Sequence, residues 1–148
     1  MAKIAEKAES SIDYWKKFSA AQFNTSASIT NAISHATCTT AMDLNAAAII
    51  TVTHSGYTAR MISRFRPACP IIATTPSERV QRQLSLLLGV YPYIINKASS
   101  TEEIFDMAMK KALETGIIKT GDLVVITAGS PVGISGTTNI LKVQTVNF

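Results

Sequence analysis

The chain has 148 residues, of which 47% are hydrophobic, and it carries a formal net charge of +4 at pH 7. This length is typical of one domain that buries roughly two-thirds of its unfolded surface. No apolar run reaches the roughly 20 residues that span a bilayer, and the charged N-terminus lacks a signal-peptide core, so we expect a cytoplasmic protein without membrane contact.

Two helices are predicted before the first strand, within residues 2–44. Residues 2–18 form an amphipathic helix whose apolar stripe needs a partner surface. The stripe consists of Ile4, Ala8, Ile12, Trp15 and Phe18, at spacings of three or four residues. A second helix is predicted to begin at Thr25 or Ser26 and to end near Leu44, and its many small side chains permit close packing.

Strands and helices alternate along the rest of the chain. The predicted strands cover residues 48–53, 70–74, 91–95 and 122–127, and the predicted helices cover residues 57–65, 77–88 and 101–115. This alternation indicates parallel strands, and their nearly continuous apolar runs indicate helices on both faces. A last strand, over residues 140–146, alternates apolar with polar residues and is predicted to be an antiparallel edge. The predicted fold is α/β, a three-layer sandwich around a mostly parallel five-stranded sheet.

The turn after the first strand, at residues 53–58, is the best candidate for an anion site. Backbone N–H groups at a helix start have no intrahelical partner and lie at the positive end of the helix dipole. Gly56 permits close approach of a ligand, and Thr53, Ser55 and Thr58 add hydroxyl donors. His54 adds an imidazole beside these hydroxyl groups. The local chemistry is equally compatible with a turn that binds no ligand. In that case Ser55 is the N-cap and His54 is an ordinary surface residue.

A loop with three glycines, residues 127–139, follows the fourth predicted strand. Ligands of open α/β sheets bind outside the carboxyl ends of the strands, so this loop is expected to face the 53–58 turn. An ordinary connection to the edge strand is the alternative. Neither loop matches GxxxxGK[ST] or GxGxxG, which argues against nucleoside triphosphate hydrolysis and ordinary dinucleotide binding. No catalytic set and no metal cluster is evident, so we predict neither kind of residue.

All five arginines of the chain fall within one short stretch: Arg60, Arg64, Arg66, Arg79 and Arg82. They form a solvated helix face, inter-subunit ion pairs, or a local positive field that favours anionic metabolites. Because the stretch has few aromatic residues, nucleic-acid binding is not expected. Cys38 and Cys69 lie in no metal or redox spacing and are expected to be reduced thiols.

Several sequence blocks occur in a characteristic order. They are Thr53-His54-Ser55-Gly56-Tyr57-Thr58-Ala59-Arg60, Ser63-Arg64-Phe65-Arg66-Pro67, Pro70-Ile71-Ile72-Ala73-Thr74-Thr75, Leu88-Gly89-Val90-Tyr91-Pro92, Lys119-Thr120-Gly121-Asp122-Leu123-Val124-Val125-Ile126 and Ser135-Gly136-Thr137-Thr138-Asn139. This order resembles the C-terminal domain of bacterial pyruvate kinases over nearly the whole chain. By the same resemblance, residues 1–18 look like the last helix of the family's barrel domain, and residues 19–148 look like its allosteric domain.

The resemblance implies a division of labour. Pyruvate kinases transfer a phosphoryl group from phosphoenolpyruvate to ADP, using magnesium and usually potassium. The groups that bind these ions and substrates would lie upstream of Met1, so we expect this segment to bind neither ion and to be inactive alone. Its expected work is regulation and subunit contact in a homo-oligomer, a tetramer in the full-length enzyme.

The resemblance also implies an effector site. The family's phosphate contacts map onto Thr53, His54, Ser55, Gly56, Tyr57 and Thr58, with Ser135, Gly136 and Thr137 closing over the ligand. Relatives activated by fructose bisphosphate often carry lysine or another basic residue where this chain has His54 and Tyr57. Many hold the second phosphate with Arg and Trp from the segment matching 97–109, which here contains neither. A sugar monophosphate or AMP is therefore favoured over fructose bisphosphate.

Two other interpretations stay open from the sequence. The first is a free-standing protein of the same fold that binds phosphorylated metabolites and has no barrel partner. Such a protein would need its own surface for the apolar stripe of residues 2–18. The second is a small enzyme that acts at the carboxyl ends of the strands, which an activity assay on the isolated chain would distinguish.

Overall fold

The computed structural model describes residues 1–20, 28–131 and 138–148. Its helices are α1 (Ala2–Ser10), α2 (Tyr14–Ala20), α3 (Ile29–Asp43), α4 (Tyr57–Arg64), α5 (Glu78–Leu84) and α6 (Thr101–Glu114). Its strands are β1 (Ala48–Val52), β2 (Ile71–Thr75), β3 (Val90–Ile94), β4 (Leu123–Gly129) and β5 (Thr138–Thr145). None of these helices is long and apolar enough to cross a membrane.

The strands form one five-stranded sheet with the order β3-β2-β1-β4-β5. β1 lies parallel to both β2 and β4, β2 lies parallel to β3, and β5 lies antiparallel to β4. The predicted mostly parallel sheet with an antiparallel edge strand is therefore confirmed. The chain leaves β1 towards β2 on one side, and it later crosses from β3 to β4 on the other side. The strand order thus reverses between β1 and β4, where open α/β sheets form ligand crevices.

Alternating strand residues divide the core between the two faces of the sheet. Ile49 points to the face on which α4 packs, where it shares a buried cluster with Ile62 of that helix. Ile50 points to the opposite face, where it shares a second cluster with Phe105 and Met109 of α6. The three-layer arrangement predicted from the apolar strands is confirmed.

The prediction of a single helix over residues 2–18 is wrong, because these residues form parts of two helices, α1 and α2. The Ser11 hydroxyl donates to the Ala8 carbonyl oxygen at 2.8 Å, which satisfies one carbonyl at the end of α1. The Asp13 carboxylate accepts a hydrogen bond from the Lys16 backbone N–H at 3.0 Å, as a residue preceding a helix does. These local bonds end one helix and begin the next.

The apolar stripe of this segment is covered only at its C-terminal end. Ile4 is 71% exposed and Trp15 is 47% exposed, whereas Phe18 is 7% exposed. The Phe18 ring packs edge-on against Phe65, with the ring centroids 6.3 Å apart. Phe18 therefore belongs to the core of the domain, while α1 has no buried residue.

Two further helix boundaries differ from the prediction. α3 begins at Ile29, because the hydroxyl of the extended residue Ser28 accepts the Asn31 backbone N–H at 3.1 Å. Thr25 and Ser26, the predicted starts, lie outside the described residues. α5 ends at Leu84 rather than near residue 88, and the Ser85 hydroxyl donates to a carbonyl of the last turn at 3.1 Å.

Candidate functional site

The 53–58 turn joins β1 to α4 and is built around Gly56. The Thr53 hydroxyl oxygen accepts the Gly56 backbone N–H at 2.9 Å, and Gly56 has a φ of +83°. A Cβ on Gly56 would lie 3.2 Å from side-chain atoms of both Val80 and Leu84 on α5. Glycine is required here by the left-handed backbone and by the close approach of α5.

The N-cap of α4 is Gly56 rather than Ser55, which corrects the alternative weighed from the sequence. Gly56 takes this position because its left-handed backbone turns the chain directly into the helix. The Ser55 hydroxyl accepts the Tyr57 backbone N–H at 3.4 Å, which is long for a hydrogen bond, so this contact is weak. Among the described residues, the Ser55 hydroxyl forms no other hydrogen bond.

The three hydroxyl groups of the turn differ in their surroundings. Thr53 and Thr58 are buried, at 5% and 4% exposure, whereas Ser55 is partly exposed. The Thr58 hydroxyl forms a hydrogen bond with the hydroxyl of Thr138, the first residue of β5. His54 and Tyr57 are exposed beside these groups. The turn therefore presents its polar groups in two layers, one at the surface and one beneath it.

Ser135, Gly136 and Thr137, which the resemblance assigns to the same site, lie outside the described residues. The next residue, Thr138, is described, and its contact with Thr58 joins the end of the glycine-containing loop to the turn. Thr138 was not predicted as a site residue. No sequence pattern indicates this contact, because the two residues are 80 positions apart.

A pocket of about 180 Å³ lies beside the turn. We call it the carboxyl-end crevice, because its walls come from the residues at and after the carboxyl ends of β1, β2, β3 and β4. It is lined by Val52, Thr53, His54, Pro76, Asn96, Lys97, Ala98, Ile104, Ala128 and Gly129. The crevice thus includes the position where the strand order reverses between β1 and β4.

The lining of the carboxyl-end crevice combines an apolar wall with two basic side chains. Val52, Ile104 and Ala128 supply apolar surface, and His54 and Lys97 supply groups that attract an anion. Lys97, which comes just after β3, was not among the predicted site residues. Lys97 lies in the crevice because it follows the carboxyl end of a strand, and no sequence motif indicates this position.

The described residues supply no metal centre and few ion pairs. They contain no cluster of three or more His, Cys, Asp or Glu side chains that could hold a metal ion. Lys111 and Glu114, 3.2 Å apart, form the one ion pair within these residues. All five arginines are exposed, and none lines the carboxyl-end crevice. Arg60 also donates a hydrogen bond to the Gln83 side-chain oxygen at 3.4 Å.

Both cysteines are free thiols outside the crevice. Cys38 is fully buried, and burial raises the pKa of its thiol far above the ordinary value. Burial also raises the pKa of Cys69 to about 11. Neither thiol is prepared to act as a nucleophile near neutral pH.

A family model and the most similar proteins reported below indicate the same family. The model of a family described as pyruvate kinase, alpha/beta domain, matches residues 31–144. A pyruvate kinase of Clostridium acetobutylicum is 50% identical over 146 residues, which are 99% of this chain and 31% of that protein. A pyruvate kinase of Bacillus licheniformis is 47% identical over 146 residues, again 99% of this chain, and 25% of that protein. The chain therefore spans about a quarter to a third of the length of these curated relatives. It belongs to the pyruvate kinase alpha/beta domain family, the C-terminal domain that the order of its sequence blocks indicated.

Proposed function

We propose that this chain is the effector-binding and subunit-contact part of a cytoplasmic pyruvate kinase. In the complete enzyme a barrel domain would transfer the phosphoryl group of phosphoenolpyruvate to ADP, giving pyruvate and ATP, with magnesium and potassium. Residues 1–18 would contribute the last helix of that barrel, and residues 19–148 would form the allosteric domain. The barrel and further copies of the chain, a tetramer in the full-length enzyme, are the proposed macromolecular partners.

The observation that carries the proposed effector site is the position of the 53–58 turn. Thr53 and His54 of the turn line the carboxyl-end crevice, and α4 begins at Tyr57, so the positive dipole end of the helix starts three residues beyond the crevice lining. Charge-assisted hydrogen bonds to a phosphate contribute about 1.5–3 kcal/mol each. Thr53, His54, Ser55, Gly56, Tyr57 and Thr58, with Ser135, Gly136 and Thr137, are the residues proposed to bind the phosphate.

The crevice favours a monophosphate as effector. Lys97 and His54 are the basic residues of its described lining, which includes no Arg or Trp to hold a second phosphate. The apolar wall formed by Val52, Ile104 and Ala128 suits the weakly polar face of a sugar or base. A sugar monophosphate or AMP therefore matches the crevice better than fructose bisphosphate.

Calorimetric titration of the chain tests this site. We expect ribose 5-phosphate and AMP to bind at least as tightly as fructose bisphosphate, and inorganic phosphate to bind most weakly. Ser55→Asp places a negative charge at the surface of the turn without requiring a new backbone conformation, so it should weaken binding at least tenfold by repulsion. Ser10→Asp, at the exposed end of α1, is the matched control and should bind like the wild type. If Ser55→Asp bound as tightly as the wild type, the turn would not be the phosphate site.

The exposed α1 favours the barrel as a partner over a free-standing binding protein. Every residue of α1 is exposed, including Ile4, and a stable free-standing domain would gain by covering such a surface. We expect no conversion of phosphoenolpyruvate and ADP by the purified chain in a coupled assay with magnesium and potassium. Turnover well above a no-protein blank would contradict the proposed division between a catalytic barrel and this domain.

A further inference from the structure

We propose that Thr138 is a positioning residue for the phosphate site and that phosphate binding is thereby coupled to the edge strand β5. The inference rests on the proposed function of the 53–58 turn and adds a means by which that site acts on the sheet. It starts from the hydrogen bond between the hydroxyl groups of Thr58 and Thr138. Both side chains are buried, at 4% and 5% exposure, so water does not compete freely for this bond.

Thr138 lies where three elements meet. Thr58 is the second residue of α4, and Thr138 is the first residue of β5. Thr138 pairs with Gly129, the last residue of β4, directly beyond an irregularity in the strand register. The bond between Thr58 and Thr138 therefore connects the start of the proposed phosphate-binding helix to the end of the antiparallel strand pair.

The adjacent residue fixes the same point to β4. The Asn139 side chain accepts the Ser130 backbone N–H at 2.9 Å and donates to the Ser130 carbonyl oxygen at 2.8 Å. These two bonds hold the start of β5 against the residue that follows β4. Because Asn139 anchors the backbone, the Thr138 hydroxyl is held in place for its contact with Thr58.

The chemistry of a hydroxyl pair explains the coupling. Each hydroxyl has one hydrogen to donate and can accept through its lone pairs, so only one of the two hydrogens lies between the oxygens. If Thr58 donates to Thr138, it has no hydrogen left for a phosphate oxygen. If Thr138 donates to Thr58, the Thr58 hydrogen is free for a phosphate, which accepts but does not need to donate. An anion at the turn therefore selects the arrangement in which Thr138 is the donor.

This selection has a consequence for β5. A phosphate that fixes the Thr138 hydroxyl also restricts the first residue of an edge strand, which pairs only with β4 among the described strands. Restricting that residue opposes fraying of the β4–β5 pairing from its β5 start. Phosphate binding at α4 should thus slow the opening of β5, although β5 does not line the carboxyl-end crevice.

Three variants of the full chain test the positioning role. Thr138→Val keeps the shape of the side chain but removes the hydroxyl, Thr138→Ser keeps the hydroxyl, and Thr145→Val removes an exposed hydroxyl from the other end of β5. In calorimetric titrations with inorganic phosphate and ribose 5-phosphate, we expect Thr138→Val to bind about tenfold more weakly than wild type, because the Thr58 hydroxyl loses the donor that orients it towards the phosphate. Thr138→Ser and Thr145→Val should stay within about twofold of wild type.

The outcomes separate this inference from the proposed function. If the wild type binds neither probe, the proposed function and the positioning role of Thr138 are both contradicted. If the wild type binds and Thr138→Val binds equally well, only the positioning role is contradicted. The same holds if Thr138→Ser binds as weakly as Thr138→Val. Hydrogen exchange of the wild type provides a test that does not depend on a variant folding. Saturating ribose 5-phosphate should slow exchange of the β5 amides, and unchanged β5 exchange would overturn the coupling.

Discussion

Thr51 of β1 and Thr127 of β4 lie opposite each other in the parallel ladder, and both hydroxyl groups are fully buried without a hydrogen-bond partner among the described residues. The two residues occupy the strand pair at which the order of the sheet reverses. Side chains alternate along a strand, so Thr51 shares a face with Thr53, and Thr127 lies on the same face because it pairs with Thr51. The interior behind the 53–58 turn therefore contains buried polar groups.

Replacing Thr51 with Val should stabilise the domain by about 1 kcal/mol. Valine has nearly the same shape, and the substitution removes a buried polar group whose desolvation no protein acceptor offsets. Thr74→Val is the matched control, because the equally buried Thr74 hydroxyl donates to the Thr51 carbonyl oxygen at 3.4 Å. Urea denaturation should show a gain for the first variant and a loss for the second. A loss of stability in Thr51→Val would show that its hydroxyl is satisfied.

The stability of α6 should depend on the ionisation of Glu103. Its carboxylate accepts hydrogen bonds from the Ser99 backbone N–H and the Ser99 hydroxyl, both at 2.8 Å, which lower its pKa from the ordinary value of 4.5. A carboxyl group with a lowered folded-state pKa contributes stability above its unfolded-state pKa and loses it as the pH falls through the folded-state pKa. The free energy of unfolding should therefore fall as the pH drops below 4.5.

Glu103→Gln should flatten this part of the pH dependence, measured by urea denaturation on both sides of pH 4.5. Glu102→Gln, a change at an exposed neighbour in the same first turn, is the matched control and should leave the slope as in wild type. Equal slopes in all three proteins would show that the bonds to Ser99 do not stabilise the start of α6. The result matters for the site, because Ile104 of this turn lines the carboxyl-end crevice.

The two N-terminal helices should contribute unequally to stability. Phe18 stacks on His35 at 5.4 Å between ring centroids and is 7% exposed, so Phe18→Ala should cost about 3–5 kcal/mol. Trp15→Ala, which truncates the 47% exposed aromatic of the same helix, should cost much less. Removal of residues 1–10, all exposed, should change the denaturation midpoint little. A large loss on that removal would show that α1 packs on this domain rather than serving the barrel.

The architecture was predictable where the local signals agreed. The apolar run from Ala48 to Val52, followed by Gly56, indicated both β1 and the turn into α4, because burial and backbone conformation impose the same residues there. The break between α1 and α2 was missed because the apolar spacing continues through it. Ser11 and Asp13 end and restart the helix with short-range bonds that periodicity does not detect.

The parts of the site that were missed depend on tertiary contacts. Thr58 meets Thr138 only because β5 returns beside β4, and no local pattern connects two residues so far apart in the chain. Lys97 reaches the carboxyl-end crevice because β3 ends beside β2. The start of α3 was misplaced because Ser28, Thr25 and Ser26 are all good capping residues, and the sequence alone does not choose among them.

The most direct test of the phosphate-binding turn compares two glycine substitutions. Gly56 and Gly116 both have positive φ, +83° and +76°, but a Cβ on Gly116 meets no atom within 4 Å. Gly116→Glu therefore measures the backbone strain alone, whereas Gly56→Glu adds crowding and a negative charge at the turn. In calorimetry with ribose 5-phosphate, on proteins shown to be folded by circular dichroism, we expect Gly116→Glu to bind like wild type and Gly56→Glu to show no measurable binding. Wild-type affinity in folded Gly56→Glu would contradict the account and leave the turn with a structural role only.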